Sequence, residues 1–215
     1  MKKIKIYMVD DHKMIVDGVS QILEKNSNFE FIGFALNGKD AINNSKLVGH
    51  IDVFIIDINL PDMDGFVVIN SLKYNFPDSK FLILSMHNNK NIIKNAFNLG
   101  VLGYVLKNSG EEELVSAILN IYEGKKYISK EVMQSLVGGI TDIDDILEQP
   151  LLTERETSVA KLTAQGMTSN EIADILFISP RTVETHRRNV MHKLNLKNTA
   201  ELIKYAVQIG WITFD

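Results

Sequence analysis

Val53-Phe54-Ile55-Ile56-Asp57-Ile58-Asn59-Leu60-Pro61-Asp62-Met63-Asp64-Gly65 is the stretch whose reading decides the fold. Its first four residues are apolar and mostly β-branched or aromatic, a run that reads as a strand buried on both faces. The run ends at a carboxylate. Pro61, with fixed φ and no N–H, stops regular structure there, and Asp64-Gly65 marks the turn into the next element. Asp57 therefore belongs at the carboxyl end of a core strand, facing the crevice where open α/β sheets bind ligands. A carboxylate so placed is a metal ligand, a nucleophile, or both.

Three other readings compete for this stretch. A solvated aspartate at a strand end is the plainest. A calcium loop fails, because Pro61 and Asp62 stand where a ligand and then glycine are needed, and Val68 replaces the closing glutamate. A phosphohydrolase working through an aspartyl-phosphate would resemble the haloacid-dehalogenase family. Those enzymes carry a second aspartate two residues on, and that residue here is Asn59.

The chain of 215 residues has room for two small domains, with 45% hydrophobic and 23% charged residues. It holds no cysteine, which excludes disulfides and thiolate metal sites and fits a reducing cytoplasm. The apolar run after Met1-Lys2-Lys3 reaches only Val9, too short for a signal peptide, and no stretch approaches a membrane span. A cytoplasmic protein with no membrane partner is expected. The net charge of −4 is unevenly spread: all four arginines lie after residue 150, against none in the acidic first part. Between 179 and 197 stand Arg181, Arg187, Arg188, Lys193 and Lys197 against one acid, Glu184, a local basic stripe.

Strands are expected at 4–9, 29–35, 53–56, 81–84 and 104–106. Helices follow at about 12–25, 38–48, 65–75, 90–99 and 111–124, the last opened by a capping box at Ser109-Gly110-Glu111-Glu112. The alternation implies a five-stranded parallel, doubly wound sheet. Asp10, Asp11, Asp57, Ser85 and Lys107 each follow an apolar strand, so all five gather at one sheet edge. Three crowded carboxylates need a cation, and oxygen ligands favour magnesium. Lys107 and Ser85 supply a positive charge and a hydroxyl suited to a phosphoryl group on Asp57.

Over residues 1–124 the chain resembles the receiver domain of two-component response regulators, a flavodoxin-like fold. The resemblance implies that a histidine kinase phosphorylates Asp57. It implies that Mg2+ is held by Asp11, Asp57 and the backbone carbonyl of Asn59, with Asp10 acting through water. Ser85 and Lys107 would hold the phosphoryl oxygens, and Ser85 with Tyr104 would form the switch. Two residues depart from the pattern. Met86 replaces a small residue beside the site, restricting access, and Asn108 replaces a proline, so the usual cis peptide is not expected.

Residues 125–150 read as a linker: a short helix at 130–137, a break at Gly138-Gly139, then an acidic tether ending at Pro150. Capping boxes at Thr153-Glu156 and Thr168-Glu171, the Ser179-Pro180 helix start and a cap at Asn198 define a four-helix module over 151–215, whose last helix stops at Gly210. The pair 168–177 and 179–194 has helix-turn-helix spacing. On the second of these helices Val183, Val190 and Leu194 form a core stripe, with His186 near it. Arg181, Glu184, Thr185, Arg188 and His192 share another face. That polar face is either simply solvated or enters the DNA major groove.

The segment resembles the LuxR-type helix-turn-helix through Leu152-Thr153-Glu154-Arg155-Glu156 and Ser179-Pro180-Arg181-Thr182-Val183-Glu184-Thr185-His186. Receiver plus this module is the architecture of NarL/FixJ-type response regulators, an α/β unit followed by an all-α one. The resemblance implies that Glu184, Thr185 and Arg188 face bases, that Thr182, Arg187 and Lys193 serve phosphates, and that Arg181 joins the DNA contact. It also implies double-stranded operator DNA, a homodimer on activation and RNA polymerase as partners, and no enzymatic role. Ile203, Val207 and Trp211 suit either a dimer contact or the module's own core.

Overall fold

The computed structural model describes residues 3–136, 152–194, 196–208 and 211–212. The chain divides into two compact units, residues 1–147 and 148–215. The tether at 137–150, with Gly138-Gly139 and Pro150, and the stop at Gly210 lie outside the described residues.

In the first unit β1 (Ile4–Val9), β2 (Phe29–Ala35), β3 (Val53–Ile56), β4 (Lys80–Ser85) and β5 (Gly103–Leu106) form a parallel sheet in the order β2-β1-β3-β4-β5. The helices are α1 (Lys13–Lys25), α2 (Gly38–Asn44), α3 (Gly65–Asn75), α4 (Lys90–Asn98) and α5 (Glu111–Tyr122). β3 is buried along its whole length, as its unbroken apolar run requires. Phe54 is in register with Phe81 and stacks on it, with ring centroids 5.3 Å apart. On the other face Ile55, Leu82 and Val105 join Val16, Val19 and Leu23 of α1 and Leu114, Ile118 and Ile121 of α5 in one core.

Three expectations are corrected. The sheet has six strands, because β6 (Tyr127–Ile128) adds to the β5 edge and leads into α6 (Lys130–Leu136). Two residues leave no periodic signal; the strand exists because the N–H groups of Tyr127 and Ser129 donate to the carbonyls of Leu102 and Tyr104, at 2.8 and 3.0 Å. The helix expected over 38–48 stops at Asn44 and tightens into a 3-10 turn over Ser45–Leu47. Finally, α5 has Gly110 as its N-cap without a side-chain bond, so the Ser109 capping box does not form. Its first turn is Glu111-Glu112-Glu113, and those carboxylates already favour the helix N-terminus.

The second unit contains α7 (Glu154–Ala164), α8 (Ser169–Leu176), α9 (Pro180–Lys193) and α10 (Thr199–Gln208). Both threonine capping boxes form, and Ser179 caps α9 with Pro180 in its first turn. Val159, Ile172, Ala173 and Val183 make one small core, and Ala160, Val190 and Leu202 another. α8 ends at Phe177, whose φ of +52° makes it the one left-handed non-glycine among the described residues. This sharp stop separates the two helices of the helix-turn-helix.

Candidate functional site

The acidic site of the first unit is built by carrying the parallel ladder one residue past each strand. Asp10 N–H donates to Ala35 O at 3.1 Å, Asp57 N–H to Val9 O at 2.8 Å, and Lys107 N–H to Ser85 O at 2.9 Å. Backbone pairing thus fixes three charged side chains at one edge. Lys107 Nζ lies 2.8 Å from Asp10 Oδ2 and 2.7 Å from Asp57 Oδ2, all three side chains being nearly inaccessible to solvent. Burial disfavours the ammonium, but the hydrogen bonds and charges of Asp10 and Asp57 outweigh it and raise the Lys107 pKa.

The loop after Asp57 is held from three sides. Gly65 N–H donates to Ile58 O at 2.8 Å, and a Cβ on Gly65 would come within 2.5 Å of Asp57 O, so α3 can start this close only with glycine. Asp64 caps α3 through Phe66 N–H at 2.8 Å, and burial pushes its carboxyl pKa up. Asp62 accepts from the N–H groups of Gly38 and Lys39 at the start of α2, both at 2.8 Å. Burial alone would raise Asp62, and those backbone donors bring it below its ordinary value.

Ser85 is fully buried and accepts from His87 N–H at 3.2 Å. The Tyr104 ring is fully buried, and its hydroxyl donates to His87 O at 2.8 Å. That carbonyl satisfies the phenol inside the core. Burial and the negative Asp57 push the Tyr104 phenol up to about 12, against the hydrogen bond with Ser85. Met86, expected to crowd the site, is 70% exposed. No cis peptide occurs among the described residues.

Two histidines without a sequence signal also border the site. His12 follows the acidic pair, and its Nδ1 stands 2.8 Å from Asp11 Oδ1. One ligand atom each from Asp10, Asp11, His12 and Asp57 lies within 4.8 Å of the others. His87 Nε2 sits 2.6 Å from the side-chain amide of Asn59. The alternation of apolar strands and strand-end acids located the pocket, but a histidine one residue beyond the acids carries no signal of its direction.

On α9 Arg181, Thr182, Glu184, Thr185, Arg188, Asn189 and His192 are exposed, opposite buried Val183 and Val190. Some of these are engaged within the unit. Glu184 bonds Ser169, and Arg187 bonds Ser169 at 3.1 Å, Glu184 at 3.4 Å and Thr199 at 3.5 Å, tying α8, α9 and α10 together. Thr182 bonds the capping Ser179 at 2.8 Å, and Thr185 Oγ1 donates to Arg181 O at 3.0 Å. Lys193 reaches the buried Glu156 of the α7 capping box at 2.6 Å. The guanidinium groups of Arg181 and Arg188 have no partner among the described residues. His186 lies between the two faces, with Nδ1 buried and unbonded.

The first unit matches the response regulator receiver domain over residues 6–119, and the second matches bacterial regulatory proteins of the luxR family over 150–206. The chain is 34% identical to oxygen regulatory protein NreC of Staphylococcus epidermidis, covering 98% of this chain and 100% of that one. It is similar to RcsB of Salmonella enterica serovar Typhimurium bound to promoter P1flhDC in the presence of phosphomimetic BeF3-. The TM-score is 0.61 and the identity 27%, over 97% of this chain and 100% of that chain. It is also similar to response regulator ChrA of a heme-sensing two-component system, with TM-score 0.53 and identity 28% over 99% and 100% of the two chains. Among the described residues no helix is long and apolar enough to cross a membrane. This chain belongs to the two-component response regulators that join a receiver domain to a LuxR-type helix-turn-helix, and is a DNA-binding regulator of transcription.

Proposed function

We propose that a histidine kinase phosphorylates Asp57, and that this modification promotes dimerisation and operator binding by the second unit. The observation that carries the proposal is the buried Lys107 ammonium 2.7 Å from Asp57 Oδ2. It holds a positive charge at the carboxylate that must attack, where a phosphoryl oxygen would arrive. Asp57 attacks phosphorus, the phosphorus–nitrogen bond of the kinase phosphohistidine breaks, and the imidazole leaves with a proton.

The clustered carboxylates fit a hard divalent cation. Asp10 is fully buried, and the buried Asp11 Oδ1 makes no hydrogen bond, although His12 Nδ1 stands 2.8 Å from it. Asp11, Asp57 and the Asn59 carbonyl would hold Mg2+, with Asp10 acting through water. When bound, Mg2+ neutralises charge on the arriving phosphoryl group. The Lys107 ammonium then moves to a phosphoryl oxygen, and the Ser85 hydroxyl turns toward another. Ser85 also bonds His87 N–H, and Tyr104 bonds His87 O, so this turn loosens the loop that Tyr104 holds.

In the second unit Arg188 and Arg181, with Thr185, face the DNA bases. Glu184, Arg187 and Lys193 position α9 through their partners within the unit. Two modules about one helical turn apart require a dimer. Partners include RNA polymerase at the controlled promoter, and the site of action is the cytoplasm. The test is labelling with a phosphoryl donor and Mg2+: wild type takes one hydroxylamine-sensitive group and sediments as a dimer. Stoichiometric labelling of Asp57→Asn would reassign the acceptor.

A further inference from the structure

The turn between β2 and α2 carries the pair Asn37-Gly38, and each residue is held there for its own reason. Asn37 caps α2, its Oδ1 accepting from Asp40 N–H and its Nδ2 donating to Asp40 Oδ2, both at 2.8 Å. Gly38 is buried, and a Cβ on it would come within 2.6 Å of the Met63 and Val68 side chains. Capping thus asks for the asparagine, and packing asks for the glycine.

Together they are chemically labile. Glycine has no Cβ to shield its nitrogen, so that nitrogen readily reaches the side-chain amide carbon of a preceding asparagine. In this fold the nitrogen is occupied. Gly38 N–H donates to Asp62 Oδ1 and Lys39 N–H to Asp62 Oδ2, both at 2.8 Å, across 24 and 23 residues of chain. Burial works against the Asp62 anion, but its backbone donors keep the carboxyl below its ordinary pKa, so it remains an acceptor at neutral pH. Ring closure needs Gly38 N free and the amide carbon turned from Asp40 toward it, so three hydrogen bonds must open together.

We propose that Asn37 is a deamidation site guarded by Asp62. While the carboxylate holds Gly38 N–H the amide survives; when the loop carrying Asp62 lifts, Gly38 N attacks Asn37 Cγ. The bond from Cγ to Nδ2 breaks, and the side-chain nitrogen leaves as ammonia with the Gly38 proton. Water then opens the cyclic imide at either carbonyl, leaving aspartate or isoaspartate at position 37. The new carboxylate stands beside Asp40 and Asp62, and isoaspartate adds a backbone atom just before Gly38. Either product works against the tie between α2 and the loop that follows Asp57, so the change, once made, favours the open loop.

Incubation of the full chain in mildly alkaline buffer tests this, with peptide mass and isoaspartate-specific methylation reporting conversion at position 37. Folded wild type should react about tenfold or more slowly than the same chain in urea, and Asp62→Ala should recover most of that difference. Asp62→Asn, similar in size but a weaker neutral acceptor, should lie between them, and circular dichroism confirms that both variants are folded. Asn37→Ser keeps a capping oxygen and should abolish the signal. Folded Asp62→Ala reacting as slowly as wild type, or wild type reacting as fast folded as in urea, would overturn the guard. Product persisting in Asn37→Ser would place the reaction at another asparagine.

Discussion

The two units handle charge in opposite ways. In the receiver Asp10, Asp57 and Lys107 are buried and already paired, each delivered by the end of a different strand. On α9 the charges stand on a helix surface, and those with partners are occupied in holding the module together. A buried ion pair is arranged before its ligand arrives, so its geometry is the function. A surface cation meets DNA only after diffusion, and its role depends on whether a neighbour has claimed it first. Burial therefore supports the proposed working residues of the first unit, whereas for the charged groups proposed to read DNA in the second the support is the lack of a partner among the described residues.

The largest expected effect comes from breaking the buried set. Lys107→Met leaves two buried carboxylates without a counter-charge, which should cost about 3–5 kcal/mol of receiver stability. Mg2+ should restore part of it by supplying the missing charge. Urea denaturation with and without Mg2+ checks this; a neutral substitution would place the site in a more solvated setting than its burial implies.

On the DNA side, Arg188→Ala should cost about 1–3 kcal/mol of operator binding and relax sequence preference at one position. Lys193→Met should behave differently although it too removes a cation. Its partner is Glu156, so the loss should fall on stability, about 1–3 kcal/mol, while the salt slope of DNA binding stays unchanged. A fall in that slope of about one unit would return Lys193 to the phosphates.

The same pair predicts a pH dependence. Burial would raise the Glu156 pKa, but Lys193 and the Thr153 donors hold it below the ordinary 4.5. A depressed carboxyl contributes stability that is present above 4.5 and lost as pH falls through the lower folded value. Thermal melts of the wild type should therefore drop on acidification below that point, and Glu156→Gln should flatten the drop. Smallest of all, Thr168→Ala removes one side of a capping box and should cost about 1 kcal/mol.

How much of this was legible in the sequence follows the same division. The strand ends at Asp10, Asp57, Ser85 and Lys107 could be read because a parallel sheet aligns whatever follows each apolar run. The two threonine capping boxes could be read because their donors and acceptors are local. Ser109-Gly110-Glu111-Glu112 has the same spacing, yet no such box forms. β6 was illegible, its two residues being held only by their pairing to β5. So were the ring direction of His12 and the choice of Lys193 for Glu156, since both depend on side chains meeting across elements. Sequence spacing places a residue on a face; it does not say which neighbour it will bond.

Control of DNA binding by Asp57 is tested most directly by operator affinity of the full chain, measured before and after treatment with an acyl-phosphate donor and Mg2+, in wild type and Asp57→Asn. Wild type should gain about tenfold or more in affinity, a shift of about 1.4 kcal/mol, and hydroxylamine should reverse it. Asp57→Asn should gain nothing. An equal gain in Asp57→Asn, or no gain in wild type whose Asp57 is fully phosphorylated, would contradict control of DNA binding through this pocket.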